Sequence, residues 1–270
     1  MINEKSRFER RHLLYCDLLG FRKYTQSEFF EAARCLRLFR KLDEMVAQAT
    51  TEIDPSIPDQ RSGVPPDYVV TPEAIYSFDS IAISTPATNI DAIWLCEAAA
   101  RIQNHICCHG FLIRGSIVTG DLYHSGNTIF GPAIAKAVEM DESGTPPMIV
   151  VSDESLESFT YATSDEDKEI VSIREHQLIA REGSSLPYID PFWLTKIHTN
   201  QESIGHSTRI NIECWRTLIE TGLRNQKPEI REKYLWTAKR FNQCLCNKVS
   251  AIRRIALEKK ENEKATGSIK

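Results

Sequence analysis

Two aspartates lie inside apolar segments of the chain. Asp17 falls near the end of HLLYCDLLGF, and Asp79 falls at the centre of IYSFDSIAIS. Because Asp and Ser readily form turns, Asp79 and Ser80 could simply make a tight hairpin. If the two segments pair as neighbouring strands, the two carboxylates would instead meet at one end of a sheet, where oxygen ligands suit a hard divalent cation. Both interpretations of Asp79 remain open at this point.

Hydrophobic periodicity and turn residues predict the elements that carry these aspartates. In chain order we expect a strand over 12–21, a helix through 29–46, a hairpin over 76–84, a helix over 90–109, a strand over 111–120, a helix over 133–144 and a strand over 147–152. Thr25 and Glu28 predict a capping box at the start of the first helix, and Gly110 predicts the end of the second. The segment from Gly120 to Gly131 predicts a glycine-rich loop.

The C-terminal part of the chain has a different character. Further strands are expected near 170–174 and around 188–197, followed by a helix over 211–223, a break at Pro228 and a last helix of about thirty residues. The segment 54–67 predicts an exposed loop, and the charged end, 259–270, predicts disorder. We therefore expect a mixed α+β domain over 1–200 and a helical C-terminal extension over 201–270.

The composition argues against several classes of protein. The net charge of -4 lacks the basic excess of a stable nucleic-acid-binding surface. No apolar run reaches the roughly 20 residues of a membrane helix, and the first residues lack the apolar core of a signal peptide, so we expect a cytoplasmic protein without membrane insertion. The eight cysteines form no C-x-x-C pair, which predicts reduced thiols and disfavours a zinc site at Cys107, Cys108 and His109.

Four segments, in order and at their intervals, resemble a known family. YCDLLGF, SFDSIAIS, IRGSIVTG and NTIFGPAIAKAVEMD are similar to the catalytic domain of class III nucleotidyl cyclases. Within that group the chain resembles the pyrimidine cyclases of bacterial Pycsar antiphage systems, in which the hairpin Asp precedes Ser and G-P-A opens the later helix. KYLWTAKRFN near the C-terminus also resembles that subfamily. The likeness is good over 11–152 and looser towards the C-terminus.

The resemblance implies a ferredoxin-like α+β domain that works as a homodimer with two sites at the subunit interface. Asp17 and Asp79 match the metal-binding aspartates, and the carbonyl of Leu18 matches a backbone ligand of the two Mg²⁺ or Mn²⁺ ions. The 3'-hydroxyl of a nucleoside triphosphate would attack the α-phosphorus and release pyrophosphate. Backbone N–H groups from Phe21 onward would lie near the phosphates. The cyclic product would act on a separate effector.

The chain departs from the purine cyclases at the positions that supply the transition-state groups. Their Asn and Arg fall at Ala135 and Glu139, so another cation has to serve. The candidates near the motifs in sequence are Arg114, Lys136, Arg22 and Lys23. Histidines 105, 109 and 124 are expected to be structural or solvated, because metal-activated attack requires no histidine base.

The base-reading positions also differ. Ile75 replaces the purine-selecting Lys, and Thr128 replaces the adenine-reading Asp. Arg114 could donate to the carbonyls of a pyrimidine and Tyr76 could stack on its ring, although a surface ion pair and a core tyrosine explain these two residues equally well. Arg114 and the loop from Gly120 to Gly131 are expected to complete the partner's site.

These positions favour a uridylate cyclase that converts UTP, or with less support CTP, into its cyclic monophosphate. One alternative is a purine cyclase with an unusual pocket. The other is a non-catalytic cyclase-like domain that senses nucleotide or binds a partner. Retention of both aspartates argues against the second alternative, since two neighbouring carboxylates without a metal are costly.

Overall fold

A computed structural model describes residues 8–49, 70–142, 146–160, 178–182, 186–193, 206–244 and 255. Several expectations fall outside these residues: the loop at 54–67, the strand at 170–174, the domain boundary at 200, the last part of the C-terminal helix and the charged end. None of the described helices combines the length and the apolar content needed to cross a bilayer. The cysteines in the described ranges are free thiols.

The described part of the chain contains eight strands and seven helices. The strands are β1 (Glu9–Leu19), β2 (Glu73–Ser77), β3 (Ser80–Pro86), β4 (Leu112–Ser125), β5 (Thr128–Phe130), β6 (Ile149–Val151), β7 (Ile179–Ala180) and β8 (Tyr188–Ile189). The helices are α1 (Phe21–Thr25), α2 (Ala32–Ala49), α3 (Asn89–Cys108), α4 (Pro132–Glu142), α5 (Asp153–Thr160), α6 (His206–Leu223) and α7 (Pro228–Cys244). Most of the elements predicted from periodicity are therefore confirmed.

All strands belong to one sheet in the order β2-β3-β1-β4-β6-β8-β7, with β5 paired to β4 alone. β1 lies between β3 and β4 and is antiparallel to both. The order strand, helix, hairpin, helix, strand up to β4 is the ferredoxin-like arrangement, which β6 extends by pairing in parallel with β4. The expected α+β class is thus confirmed.

Side chains of β1 alternate between two differently covered faces of the sheet. Leu14, Cys16 and Leu18 point into the main core, which also contains residues of α2 and α3. Leu13 and Tyr15 point to the opposite side, where Ala133 and Ala137 of α4 cover the sheet. We call these sides the α2/α3 face and the α4 face. By the same alternation, Asp17 lies on the α4 face.

The C-terminal helices pack on one end of this sheet. Side chains of α6 and α7 form an apolar cluster with Leu112 of β4 and Leu19 of β1. Arg240 of α7 reaches the fully buried carboxylate of Asp190, which follows β8. The two side chains form an ion pair, which avoids the free-energy cost of an unpaired carboxylate in the protein interior.

Three local expectations are wrong. Thr25 ends α1 and donates its hydroxyl to the carbonyl of Arg22 instead of capping the next helix, which begins only at Ala32. Phe29, expected on the buried helix face, is 74% exposed. The expected glycine-rich loop is also shorter than predicted, because β4 continues to Ser125 and pairs with β5 in a hairpin.

Candidate functional site

Strand pairing brings Asp17 and Asp79 to the same end of the sheet. Asp17 stands opposite Ser80 in the pairing of β1 with β3. The backbone N–H of Leu18 donates to the carbonyl of Asp79 over 2.7 Å. Since this hydrogen bond joins the two neighbouring chain segments directly, the expected juxtaposition of the two segments is confirmed. The structure adds that the hairpin turn consists of Phe78 and Asp79, whereas Ser80 already belongs to β3.

The turn residue before Asp79 has an uncommon backbone conformation. Phe78 has a φ of 52°, which bulky residues rarely adopt. Its ring, half exposed, contacts the ring of Phe21 edge to face with centroids 5.6 Å apart. Strand pairing on both sides of the turn and this ring contact hold the conformation and thereby fix the backbone of Asp79 beside β1.

The surroundings of Asp17 disfavour the charged form of its carboxyl group. Its Oδ1 is buried and makes no hydrogen bond to the described residues; Arg114 Nε lies 3.9 Å away. Burial and then the charge of Asp141 raise the pKa of Asp17 to about 6, with a smaller contribution from Asp79. Arg114 and Lys233 oppose this rise without cancelling it. The described residues compensate the negative charge of Asp17 only in part, so this carboxylate would stabilise a bound cation.

Arg114 is held by a carboxylate that the sequence analysis did not single out. Its Nε lies 2.9 Å from Oδ1 of Asp141, and its Nη2 lies 3.4 Å from Oδ2, which is a two-point ion pair. Asp141 is buried near the end of α4. A signal did exist, because an acidic residue in the last turn of a helix opposes the helix dipole and needs a compensating cation.

The spacing between Asp17 and Arg114 is set by a close approach of β1 and β4. The two residues face each other in the register. Next to Arg114 stands Gly115, where an added Cβ would lie 2.2 Å from the carbonyl oxygen of Tyr15 and 2.4 Å from the Cβ of Cys16. Only glycine fits between these backbones without moving one strand away from the other.

In the segment after Asp17, the groups available to a ligand belong to the backbone. The side chain of Leu18 is buried in the main core, so its carbonyl is the group that could face a metal ion. Gly20 has a φ of 84° and turns the chain from β1 into α1. The ring of Phe21 is buried against Phe39 and Phe111, which leaves its backbone N–H as the part available to a ligand.

Tyr76 does not face this site. In the hairpin it stands opposite Ile81, which points into the main core. Its ring accordingly contacts Phe39 of α2 with centroids 5.9 Å apart. The expectation that Tyr76 stacks on the base is corrected: the residue lies on the α2/α3 face, as the core interpretation predicted, whereas Asp17 lies on the α4 face.

The remaining residues expected at the site are separated from Asp17 or engaged elsewhere. At about 3.3 Å per residue, the length of β4 puts Ser125, the partner of Thr128, on the order of 35 Å from Arg114. Lys136 forms an exposed ion pair of 2.7 Å with Glu154. Arg114 lies beside the Asp17 of its own chain, and this placement differs from the expectation that it completes the partner's site.

A second polar cluster lies at the other end of the α4 face. Arg11, only 5% exposed, donates from Nε to Ser84 Oγ over 2.9 Å and lies 3.1 Å from Glu73. Ser84 Oγ is 2.7 Å from Nδ1 of His124. Burial and then the charge of Arg11 lower the pKa of His124 to about 4, so this histidine is neutral at pH 7. We call this set the Arg11 cluster.

Within the described ranges, no group of three or more His, Cys, Asp and Glu side chains is arranged to hold a metal ion. A metal ion near Asp17 would therefore be bound by the side chains of Asp17 and Asp79 and by the carbonyl of Leu18. The unpartnered oxygen of Asp17 fits such an ion, because oxygen is the ligand that Mg²⁺ and Mn²⁺ prefer. A substrate would have to supply further ligands.

No protein-family model and no curated protein matches the chain. The chain is similar to three solved structures described as cyclases or cyclase-like. The catalytic core of a rhodopsin-guanylyl cyclase with converted specificity, in complex with ATPalphaS, is 13% identical, with 58% of this chain and 83% of that chain covered and a TM-score of 0.40.

The second is an adenylate/guanylate cyclase/hydrolase from Silicibacter pomeroyi, 16% identical, with 67% and 94% of the two chains covered and a TM-score of 0.38. The third is a class III adenylyl cyclase-like ATP-binding protein from Pseudomonas aeruginosa, 11% identical, with 86% and 44% covered and a TM-score of 0.36. The TM-scores of these three structures are all below 0.5.

Proposed function

We propose that the chain is a nucleotidyl cyclase that converts a nucleoside triphosphate into a 3',5'-cyclic monophosphate and pyrophosphate. The observation that supports this most is the position of Asp17 beside the Asp79 turn, together with a buried oxygen of Asp17 that has no hydrogen-bond partner among the described residues. Burying an underneutralised carboxylate costs free energy, so its retention favours a bound cation over a purely structural role.

Asp17, Asp79 and the carbonyl of Leu18 would hold Mg²⁺ or Mn²⁺. Bound there, the ions would lower the pKa of the ribose 3'-hydroxyl and offset the charge of the triphosphate. The two-point contact with Asp141 fixes the guanidinium of Arg114 beside Asp17, where its charge can act on phosphate oxygens. The contacts of the Phe21 ring with Phe39 and Phe111 hold the backbone after Gly20 in place.

We infer that the preferred substrate is UTP, with CTP second. Ile75 stands opposite Ala82 and so lies on the α4 face, where a purine cyclase of the related family carries its selecting Lys. An apolar residue there and Thr128 in place of an Asp cannot supply the polar pair for adenine. UTP presents two carbonyls to a donor such as Arg114, whereas CTP presents one carbonyl and an amino group.

We further infer a homodimer with two sites. The separation of Thr128 from its own Asp17 means that the two can serve one nucleotide only across an interface. Phe8 and Phe130, beside each other near the β4–β5 hairpin, are each about half exposed, as residues of an interface would be in a single chain. The product would then act on a separate cyclic-nucleotide-responsive effector, in antiphage signalling, as the sequence resemblance implies.

The experiment incubates the purified chain with each of ATP, GTP, CTP and UTP in the presence of Mn²⁺ and identifies the products by mass. We expect cyclic UMP and pyrophosphate as the main products. Preference for ATP or GTP would instead support a purine cyclase. Nucleotide binding without any cyclic product would support the non-catalytic alternative.

Light scattering at several protein concentrations tests the dimer separately. We expect activity per chain to fall on dilution together with the dimer fraction. A monomer that remains fully active would contradict the shared-site arrangement.

A further inference from the structure

A cavity of about 690 Å³ lies between the start of α2, the end of α3 and helix α6. Arg34 of α2, Gly110 after α3, and Ile210 and Leu218 of α6 are among the residues that line it. The described residues of the Asp17 site do not contribute to this lining. The volume falls within the range of roughly 300 to 1,000 Å³ that is usual for small-molecule sites.

Arg34 is held at the wall of this cavity by two aromatic rings and by the end of α3. Its guanidinium carbon lies 5.3 Å from the ring centroid of Tyr24 and 5.7 Å from that of Phe111. Its Nη2 donates to the carbonyl of His109. Gly110 leaves room for this contact, because an added Cβ there would lie 2.6 Å from Nη2. The half-buried side chain is therefore positioned before any ligand binds.

The positive charge at the cavity is not matched by carboxylates. Arg34 and Arg209 of the lining form no ion pair with the described residues. The acidic residue of the lining, Glu213, has its Oε2 3.6 Å from Nε of Arg216, so its charge is already compensated. The His109 carbonyl engages one nitrogen of Arg34, and His206 at the start of α6 adds ring nitrogens to the lining. This excess of cationic donors favours an anionic ligand.

Other parts of the lining are apolar. Cys107 and Leu218 are buried members of the apolar cluster that α6 and α7 form. Ile210 is 48% exposed, although isoleucine is among the residues most often buried. A ligand with an apolar body would cover this side chain and remove apolar surface from water. Hydrophobic burial would then add to the attraction between opposite charges.

We propose that this cavity binds a small amphipathic carboxylate, with its charged group at Arg34 and its apolar body against Ile210 and Leu218. A guanidinium matches a carboxylate in charge and in planar hydrogen-bond geometry. One negative charge also matches the one half-buried guanidinium, since Arg209 is exposed. The inference goes beyond the proposed cyclase function and does not depend on it, because these residues take no part in the metal and nucleotide contacts proposed above.

The experiment measures binding of octanoate by calorimetry, with octanol as the uncharged probe of equal chain length. We expect one octanoate per chain, with octanol bound about tenfold more weakly or less. Arg34→Met should weaken octanoate binding by about tenfold or more, the range for a lost charged hydrogen bond. Thr217→Phe should prevent binding, because Thr217 lines the cavity and the added ring would occupy it. The matched control Arg40→Met removes an exposed arginine from the same helix, α2, and should bind like the wild type.

Alkylation of Cys108 gives a second measurement that needs no variant. Cys108 is exposed and lines the cavity, so octanoate should slow its reaction with iodoacetamide, followed by peptide mass spectrometry. Cys35 of α2, which is not among the lining residues, should react at an unchanged rate. Because it uses the wild type, this measurement decides the question if Arg34→Met does not fold, as judged by circular dichroism.

Several results would overturn the proposal. These are no octanoate binding to the wild type, equal affinity for octanoate and octanol, equal affinity of the wild type and folded Arg34→Met, and no protection of Cys108. Light scattering adds a further one: self-association of the chain that octanoate reverses would make this face an interface between two copies. Each result can be read whether or not the chain cyclises a nucleotide, so failure of the cyclase function remains distinguishable.

Discussion

The two polar clusters of the α4 face each contain an arginine paired with carboxylates, buried for Arg11 and partly buried for Arg114, but they differ in how the charges are compensated. The charge of Arg11 is met by Glu9 and Glu73, and Ser84 links Arg11 to Nδ1 of the neutral His124, whose uncharged Nε2 has no partner among the described residues. Arg114 is instead shared by two carboxylates, Asp141 at 2.9 Å and Asp17 at 3.9 Å, and the buried Oδ1 of Asp17 has no hydrogen-bond partner among the described residues.

The difference distinguishes a structural network from a candidate ligand-binding site. In the Arg11 cluster the arginine has partners on several sides, so the network stabilises the strands that carry it. Around Arg114 the carboxylates are in excess, and burial of Asp17 raises its pKa to about 6. Residues whose charge is unfavourable in the isolated chain are candidates for function because a ligand can reverse the cost.

The largest expected effect follows from removing the excess carboxylates. Asp17→Asn and Asp79→Asn should each lower cyclase activity by roughly a thousandfold or more, since a metal ion supplies several kcal/mol of charge stabilisation. Product formation and melting temperature are measured together with the control Asp121→Asn, which changes an exposed Asp on β4. Unchanged turnover in Asp79→Asn would show that Asp79 is only a turn residue.

Arg114→Ala should have the next largest effect. Loss of a charged hydrogen bond should weaken UTP turnover by about 1.5 to 3 kcal/mol. If Arg114 reads the base, discrimination against ATP should shrink in the same variant, as judged by kcat/KM for both nucleotides. An equal loss for all nucleotides would instead make Arg114 a phosphate ligand, the role that its position beside Asp17 favours. Asp141→Asn should reproduce part of either result by releasing the guanidinium.

A smaller effect is expected on stability. The folded pKa of Asp17 is about 6 and the ordinary value is 3.8, so the folded chain loses stability relative to the unfolded chain as the pH rises from about 4 to 6. Asp17→Asn lacks this loss and should be more stable than the wild type at pH 7.5 by about 3 kcal/mol in the absence of metal. The difference should disappear near pH 4.

Urea denaturation with a chelator at several pH values measures that difference. Saturating Mn²⁺ should stabilise the wild type and leave Asp17→Asn unaffected. A variant that is less stable than the wild type at pH 7.5 would mean that the charge of Asp17 is already compensated within the chain.

The smallest effect on activity should come from the Arg11 cluster. Ser84→Ala removes the hydroxyl shared by Arg11 and His124, which should lower the free energy of unfolding by about 1 to 2 kcal/mol. Turnover of the folded variant should stay within about twofold of the wild type, since a structural network acts only through stability. A large loss of turnover without loss of stability would remove the distinction between the two clusters.

Short-range pairing explains which parts of the site the sequence could predict. The alternation of β1 and the hairpin around Asp79 set the strand register, and the register alone brings Asp17 and Asp79 together. The end of α3 could also be predicted from the local sequence, because Gly110 follows the helix and has a φ of 80°.

The parts that could not be predicted depend on contacts between distant elements. Asp141 reaches Arg114 only because α4 packs on this face of the sheet, and no periodicity connects the two residues. The side of the sheet on which Tyr76 lies was left open by the sequence, since Ile75 and Tyr76 are adjacent large residues that point to opposite faces and either could have faced the core. The predicted capping box at Thr25 does not form, because the Thr25 hydroxyl donates to the carbonyl of Arg22 in α1.

Gly115 limits how this chain could be altered by laboratory evolution. A mutant library aimed at changing the accepted base can vary Ile75, Ala135 and Glu139, none of which holds β1 and β4 together. A side chain at position 115 would instead meet the carbonyl oxygen of Tyr15 at 2.2 Å and push Asp17 away from Arg114. Selection for a new substrate would then discard every member with a change at that codon, whatever its other substitutions, so the codon should be kept invariant.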